Sequence, residues 1–341
     1  MKNHIFLLLV AVLASSYCSD KDKVSSEPSV SDKTKGESST NKECIKCQEM
    51  AVGEKFTQDG TTYTVVDNEL LRQAVAEGWD LRTVCTSKVT NLDTLFKRNE
   101  AFNEDISNWD VSNVTSMKKT FWKAKSFNQP IGSWDVGKVE NMEKLFEVAL
   151  SFNQPIGDWD MGNVKNMASM LKETPFNHPI GNWDVSNVET MGEVFERTSA
   201  FNQDIGNWDV RNVQNMAGLF SKSVFNGDIS RWDVSNVDIM SGMFQKSKFN
   251  GDISSWDVGN VTRMDGMFWG SPFDGNISDW NVKNVTRMDR MFKDSQFDGD
   301  LSSWQVSAVI DCRDFSSGNS RWSKPKPTFS HFCNEDLDRK K

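Results

Sequence analysis

Residues 201–220 have the sequence FNQDIGNWDVRNVQNMAGLF, and close copies of this stretch recur along most of the chain. Each copy contains a Trp followed by Asp, Asn or Gln, and a Phe stands seven residues before each Trp. These tryptophans are spaced by 24 or 25 residues: Trp109, Trp134, Trp159, Trp183, Trp208, Trp232, Trp256, Trp280 and Trp304. Self-similarity at one fixed period predicts an array of stacked repeats.

Two shorter periods lie inside each repeat. Trp109 and Val111 are two residues apart, as on one face of a strand. Val114, Met117 and Phe121 are spaced as on one face of a helix. We therefore predict an α/β fold, a right-handed leucine-rich-repeat-like solenoid of about nine 24–25-residue repeats with short parallel strands and short helices, capped at both ends.

Composition divides the chain into five segments. We predict a signal peptide at residues 1–17, a disordered tether at 18–43, an N-terminal cap at 44–83, the repeats at 84–315, and a C-terminal cap with a loose tail at 316–341. The apolar run of residues 5–14 is too short to span a membrane. It either precedes ordinary cleavage after Ser16 or directs lipidation of Cys18, and we favour lipidation although Tyr17 departs from that pattern.

The two caps have their own signals. Residues 55–66 read as a hairpin turning at Asp59-Gly60, and residues 68–77 read as a short amphipathic helix ending at Gly78. At the other end, Trp322, Phe329 and Phe332 can lie over the last repeat.

Export would favour disulfides among the six cysteines. Cys85 and Cys312 lie at opposite ends of the array, far beyond bridging distance, so each needs a local partner. We predict Cys47–Cys85 and Cys312–Cys333. Cys44 is then free if Cys18 is lipidated and lies close to Cys18 if not. A redox or metal role for Cys44 and Cys47 is the weaker alternative.

Charge and composition argue against several functions. A net charge of −9 disfavours nucleic-acid binding. The histidines, at positions 4, 178 and 331, are too few and too scattered for a paired-histidine mechanism. Phosphate-loop, dinucleotide and metalloprotease motifs are absent. We expect no catalytic residues, no cofactor and no metal, and hence no enzyme.

Three rows of repeated residues are candidates for a role beyond packing. The tryptophans form either a glycan-stacking strip or, as we favour, part of the core. The Asn that precedes the second Val in seven of the nine repeats either caps a helix or forms a ladder between repeats. An Asp follows seven of the nine tryptophans, and Asn281 and Gln305 follow the other two. Neighbouring Asp side chains would lie about 4.8 Å apart and repel each other by roughly 1–3 kcal/mol per pair. That row binds cations or, as we favour, accepts local donors.

More variety occurs one residue before and three residues after each Trp. These columns are mostly small and polar, with Arg211, Arg231 and Lys283 as the exceptions. We place the possible ligand face at these residues and the neighbouring Asp209, Asp233 and Asp257. A solvated face without a ligand is the alternative.

The repeat motif, and the segment TYTVVD followed by LLRQAV and VCTSKVT, resemble the BspA-like leucine-rich-repeat surface proteins of bacteria. The resemblance covers about residues 61–315 and implies a surface lipoprotein or a secreted, adhesin-like protein. We therefore expect a scaffold at the bacterial cell surface or outer membrane that binds a protein or a glycan and contacts the membrane only through its N-terminal lipid. The sequence indicates no oligomeric state. A carbohydrate-active enzyme and a purely structural envelope protein are the alternatives.

Overall fold

The computed structural model describes residues 44–330. The predicted signal peptide, tether and Cys18 lie outside the described residues, as do Phe332 and Cys333. The regular elements are β1 (Lys55–Gln58), β2 (Thr61–Val65), α1 (Asn68–Glu77), a 3-10 helix (Leu81–Thr83) and β3 (Val84–Cys85). Within the described part, no helix has the length and apolar character needed to cross a membrane.

The N-terminal cap is a small sheet and one helix. Strands β1 and β2 pair antiparallel, and β2 pairs in parallel with β3. Asp59 and Gly60 form the hairpin turn with positive φ values of 49° and 77°. The Asp67 side chain caps the first turn of α1, and Gly78 ends it in the left-handed conformation. The hairpin and the helix thus lie at the residues where the sequence predicts them.

The predicted disulfide between Cys47 and Cys85 is present, with the two Cα atoms 6.3 Å apart. It ties the segment before β1 to β3. The Ile45 amide also donates to the Asn108 carbonyl of the first full repeat, at 3.0 Å. Because Cys333 lies outside the described residues, the Cys312–Cys333 pairing stays a prediction. No cysteine within residues 44–330 is free, so the expectation of a free Cys44 beside a lipidated Cys18 does not match the structure.

Each repeat has two halves, which we call the turn half and the loop half. The loop half runs from the Phe to the second Val, as in residues 127–139, and the turn half is the segment that precedes it, as in residues 115–126. In the turn half, alternate amides bond to the next repeat. Met117, Lys119 and Phe121 donate to the carbonyls of Asn141, Glu143 and Leu145 at 2.8–2.9 Å. Isolated parallel β-bridges also join the turn halves of successive repeats, from Asn91 to Asp311.

The turn half differs from the short helix that the sequence predicts there. The intervening amides close four-residue β-turns, as in the bond from Thr120 to the Met117 carbonyl. Two residues per turn half have positive φ and lie four apart, such as Lys119 at 59° and Lys123 at 61°. A residue with positive φ cannot continue a right-handed helix. The Val, Met and Phe side chains therefore reach the core from successive turns and not from one face of a helix, and all three are buried.

In the loop half, successive repeats are joined mainly through side chains. The predicted short strand at Trp-x-Val is not among the described elements. Instead, each Trp donates its indole N–H to a backbone carbonyl of the preceding repeat, as Trp208 does to Ile180 at 3.1 Å. The Asn before the second Val donates likewise, as Asn212 does to Ser186 at 2.7 Å. Of the two alternatives for this Asn, the ladder is the one that the structure contains.

A second ladder follows the Phe of each loop half. The Asn153 amide donates to the Asn128 side-chain oxygen at 2.9 Å, and the pattern continues to Asp298, which accepts from Ser323. These bonds satisfy backbone donors that a strand would otherwise pair. They explain why an Asn or Asp follows every Phe.

The core consists of aromatic columns that run along the array. Phe121 and Phe146 stack with ring centroids 5.5 Å apart, and Trp208 stacks on Trp232 at 6.4 Å. Every repeat tryptophan from Trp109 to Trp304 is at most 5% exposed. The prediction that this row belongs to the core is therefore confirmed. At the C-terminal end, Trp322 occupies the place that the first Phe of the loop half has in each repeat, and it packs against Phe297. Phe329 packs edge-on against Phe315, with ring centroids 4.9 Å apart.

Candidate functional site

The two halves of the repeats carry different charge. The nine loop halves contain 17 acidic residues and only four basic ones, Lys138, Arg211, Arg231 and Lys283. The turn halves between and beside them, from residue 90 to residue 321, contain 15 acidic and 19 basic residues. We call the solvent side of the loop halves the acidic loop surface. Its charge favours cationic or hydrogen-bond-donating ligands.

The seven Asp residues that directly follow a repeat Trp form a row along this surface, and local donors satisfy them. Asp233 accepts from the Ser235 amide at 3.1 Å and from the Ser235 hydroxyl at 2.6 Å. Asp257 accepts from the Gly259 amide at 2.9 Å. The hydrogen bonds from Ser235 lower the pKa of Asp233, and those from Ser186 lower the pKa of Asp184. Local donors therefore hold the row, as we favoured from the sequence.

A cation site was the other possibility for these carboxylates. Among residues 44–330, no group of three or more His, Cys, Asp or Glu side chains is arranged to hold a metal ion.

The basic residues that the sequence singled out are all exposed, but they differ in their partners. Arg211 forms an ion pair with Asp209 at 2.8 Å, and this neighbour raises the pKa of the guanidinium. Arg231 and Lys283 form no ion pair with any described residue. Arg211 thus neutralises part of the negative charge of the Asp row, while Arg231 and Lys283 present unpaired positive charges to solvent.

A solvent-open cavity of about 380 Å³ lies in the loop halves of three successive repeats. Its lining contains two carboxylates, three amide side chains and no basic residue: Gly157, Asp158, Pro179, Gly181, Asn182, Gln203, Asp204 and Asn207. Gly157 and Gly181 allow close approach of the next repeat, since a Cβ there would lie 2.4 Å and 2.6 Å from a backbone oxygen. The cavity therefore offers mainly oxygen acceptors on a closely packed backbone.

The cavity includes part of the column that the sequence marked as variable. Asp158, Asn182 and Asn207 each stand one residue before a repeat Trp, and Arg231 holds the same position in the next repeat. The predicted ligand residues Asp209, Asp233, Asp257, Arg211, Arg231 and Lys283 do not line it. Sequence reasoning missed Gln203 and Asp204. The signal for them lies at the two positions before the repeat Ile. These are Gln-Pro or His-Pro in the three repeats before residue 203, and Gln-Asp or Gly-Asp in the next three.

These features define a tandem-repeat protein whose repeats are bonded to one another through both backbone and side chains. The chain belongs to the family described as Mycoplasma protein of unknown function, DUF285, whose model matches residues 68–175, 171–248 and 221–327. No curated protein and no solved structure matches the chain.

Proposed function

We propose that the chain is a non-enzymatic binding scaffold, built as a right-handed leucine-rich-repeat-like solenoid of the BspA-like type. In this proposal it is exported to the cell surface, and anchoring through a lipid on Cys18 would require Cys44, which is not free, to pair with a different cysteine. The tandem family match supports the repeat scaffold. The resemblance of the repeat motif to BspA-like surface proteins supports the adhesive role.

The observation that carries the binding role is the cavity within the acidic loop surface. Gln203 is fixed in its wall by bonds to the Asn177 carbonyl and side-chain oxygen at 3.0 Å and 2.9 Å. Such fixed polar groups lower the entropic cost of binding because little has to be ordered. We infer a ligand that presents hydrogen-bond donors, either the ammonium groups of a protein or the hydroxyls of a glycan. Contact would extend from the cavity to Arg231, Asp233 and Asp257.

The main alternative, a carbohydrate-active enzyme, has one observation in its favour. Asp158 and Asp204 line the same cavity and lie two repeats apart. They stand one and four residues before their repeat Trp, so they occupy different positions of the repeat and the stacking distance alone does not set their separation. However, both side chains are exposed, whereas a general acid is usually buried in an apolar pocket. We therefore favour binding without catalysis.

The experiment begins with capture of ligands from a panel of cell-surface proteins and glycans by the purified chain. Affinity is then measured for wild type, for Asp158→Asn with Asp204→Asn, and for Arg211→Ala with Arg231→Ala. An ammonium ligand should bind at least about tenfold more weakly to the Asp variant, and its affinity should fall with salt. A hydroxyl ligand should lose less and show little salt dependence.

The Arg variant separates recognition from stability. The Arg211–Asp209 pair is exposed and contributes about 0–1 kcal/mol, so the melting temperature should hardly change while affinity for a charged ligand does. Asp238→Asn, an exposed change in a turn half, is the matched control and should leave affinity unaltered. If the Asp158/Asp204 variant and the Arg211/Arg231 variant both bind like wild type, the site is not in this part of the loop surface.

A further inference from the structure

Three cations surround a single indole ring in the turn halves at the N-terminal end of the array. Lys123, Arg98 and Lys97 lie 4.8, 5.0 and 5.2 Å from the centroid of Trp122. Lys97 and Arg98 are exposed, and the ring itself is half-buried. Each cation is attracted to the face of the ring, but the three like charges repel one another. We call Lys97, Arg98, Lys123 and Trp122 the Trp122 cluster.

Nearby carboxylates do not neutralise the Trp122 cluster, because other lysines hold them. Glu100 pairs with Lys125 at 2.8 Å, and Glu143 pairs with Lys118 at 2.8 Å. Glu147 pairs with Lys144 at 2.7 Å. None of the three cations of the cluster forms an ion pair with a described residue. The Trp122 indole nitrogen is also buried without a hydrogen-bond partner within residues 44–330. The cluster therefore has donors and positive charge but no acceptor.

The chain contains a balanced version of the same arrangement around Trp269. Trp122 and Trp269 each stand thirteen residues after a repeat Trp, at equivalent positions. The Trp269 indole donates to the Asp294 carboxylate at 3.2 Å. Of the two lysines over its ring, Lys293 also pairs with Asp314 at 2.8 Å. The Trp269 arrangement thus supplies its own anions, which the Trp122 cluster lacks.

We propose that the Trp122 cluster binds one tetrahedral oxyanion group, a sulfate or a phosphate, either free or as an ester on a larger molecule. The Arg98 guanidinium can donate two parallel hydrogen bonds to such a group, and Lys97 and Lys123 supply point charges. A broad anionic surface is a poorer fit, because the flanking Lys118 and Lys125 are already paired. The site lies in the turn halves and does not depend on the proposed role of the acidic loop surface.

The test uses the whole chain with inorganic sulfate and phosphate as probes, followed by calorimetry and by nitrogen-15 NMR of the indole groups. The Trp122 indole signal is assigned by its loss in Trp122→Phe. We expect saturable binding of one anion with a shift of that signal. Lys97→Gln with Arg98→Gln and Lys123→Gln should weaken binding at least tenfold. Lys246→Gln with Lys293→Gln, the matched change at Trp269, should leave it unaltered.

Two further probes, a sulfated disaccharide and phosphatidylserine vesicles, identify the source of the anion. A sulfated disaccharide that binds more tightly than free sulfate would show that the group is recognised as an ester. Equal affinity would assign the site to the free ion. Both results require that the triple Gln variant lose binding. The proposal is wrong if that variant binds both ions like wild type, if the Trp269 control loses as much, or if only phosphatidylserine vesicles bind. Far-ultraviolet circular dichroism checks that each variant is folded.

Discussion

Replacing Trp208 by alanine tests whether the tryptophan column holds the array together. Trp208 is 4% exposed and lies between Trp183 and Trp232, with ring centroids 6.2 Å and 6.4 Å away. Its indole nitrogen donates to the Ile180 carbonyl at 3.1 Å. The substitution therefore removes packing on two neighbours and one bond between repeats.

The magnitude follows from the buried surface. A Trp buries about 150–250 Å², which at about 25 cal/mol per Å² corresponds to about 4–6 kcal/mol. Alanine retains a small part of this, and ladders on both sides of Trp208 limit collapse into the cavity. We therefore expect Trp208→Ala to destabilise the protein by about 3–5 kcal/mol. Trp208→Phe keeps most of the ring but leaves the Ile180 carbonyl without its donor, at a cost of about 1–3 kcal/mol.

Urea unfolding followed by circular dichroism measures both variants. Because each repeat is stabilised mainly by its neighbours, a weak central interface should let the two ends unfold separately and broaden the transition. Trp269→Ala is the control, since that half-buried ring lies outside the core columns and should contribute about 1 kcal/mol or less. A loss below about 1 kcal/mol for Trp208→Ala, or one equal to that of the control, would refute the assignment of the column to the core.

Two further outcomes are expected from the cap and the Asp row. Cys47 and Cys85 are 38 residues apart, so Cys47→Ser with Cys85→Ser should cost about 4 kcal/mol of cap stability by the loop-entropy relation; an unchanged urea midpoint would contradict this. The hydrogen bonds from Ser235 and Ser186 lower the folded-state pKa values of Asp233 and Asp184 below the ordinary 3.8. Their contribution is present above that value and lost as the pH falls through the lower folded values. The melting temperature should therefore fall below about pH 4, and less steeply in Ser235→Ala; a rise on acidification would exclude this cause.

The repeat period and the buried residues could be predicted from the sequence because both are local patterns. The conformation of the turn half could not be predicted in the same way. Val114, Met117 and Phe121 fit one face of a helix, and Lys119 and Lys123 give no sign of positive φ. The signal lay in other repeats, where Gly218, Gly242 and Gly266 occupy the position of Lys119. Glycine at one fixed position of a supposed helix is evidence for a turn with positive φ.

The candidate cavity depends on contacts between repeats, which sequence spacing alone does not specify. Asp158 and Asp204 are 46 residues apart and belong to different repeats, yet they line one space. Their approach follows from the stacking distance and from the glycines that let successive backbones come close. The variable column before each Trp was visible in the sequence, but its partners across the repeat boundary were not.

The side-chain ladders bear on where ligand specificity can arise in such an array. Trp208 and Asn212 each bond to the preceding repeat, so replacing them weakens an interface as well as a surface. Asn207 and Arg231 stand beside these residues at exposed positions that the ladders do not use. A change there alters the surface at little cost to stability, because surface substitutions away from such bonds usually change it by less than about 0.5 kcal/mol. Since the ladders hold the backbone beneath them, such residues present their side chains on a frame that is already ordered, and new binding specificity can arise there without redesign of the core.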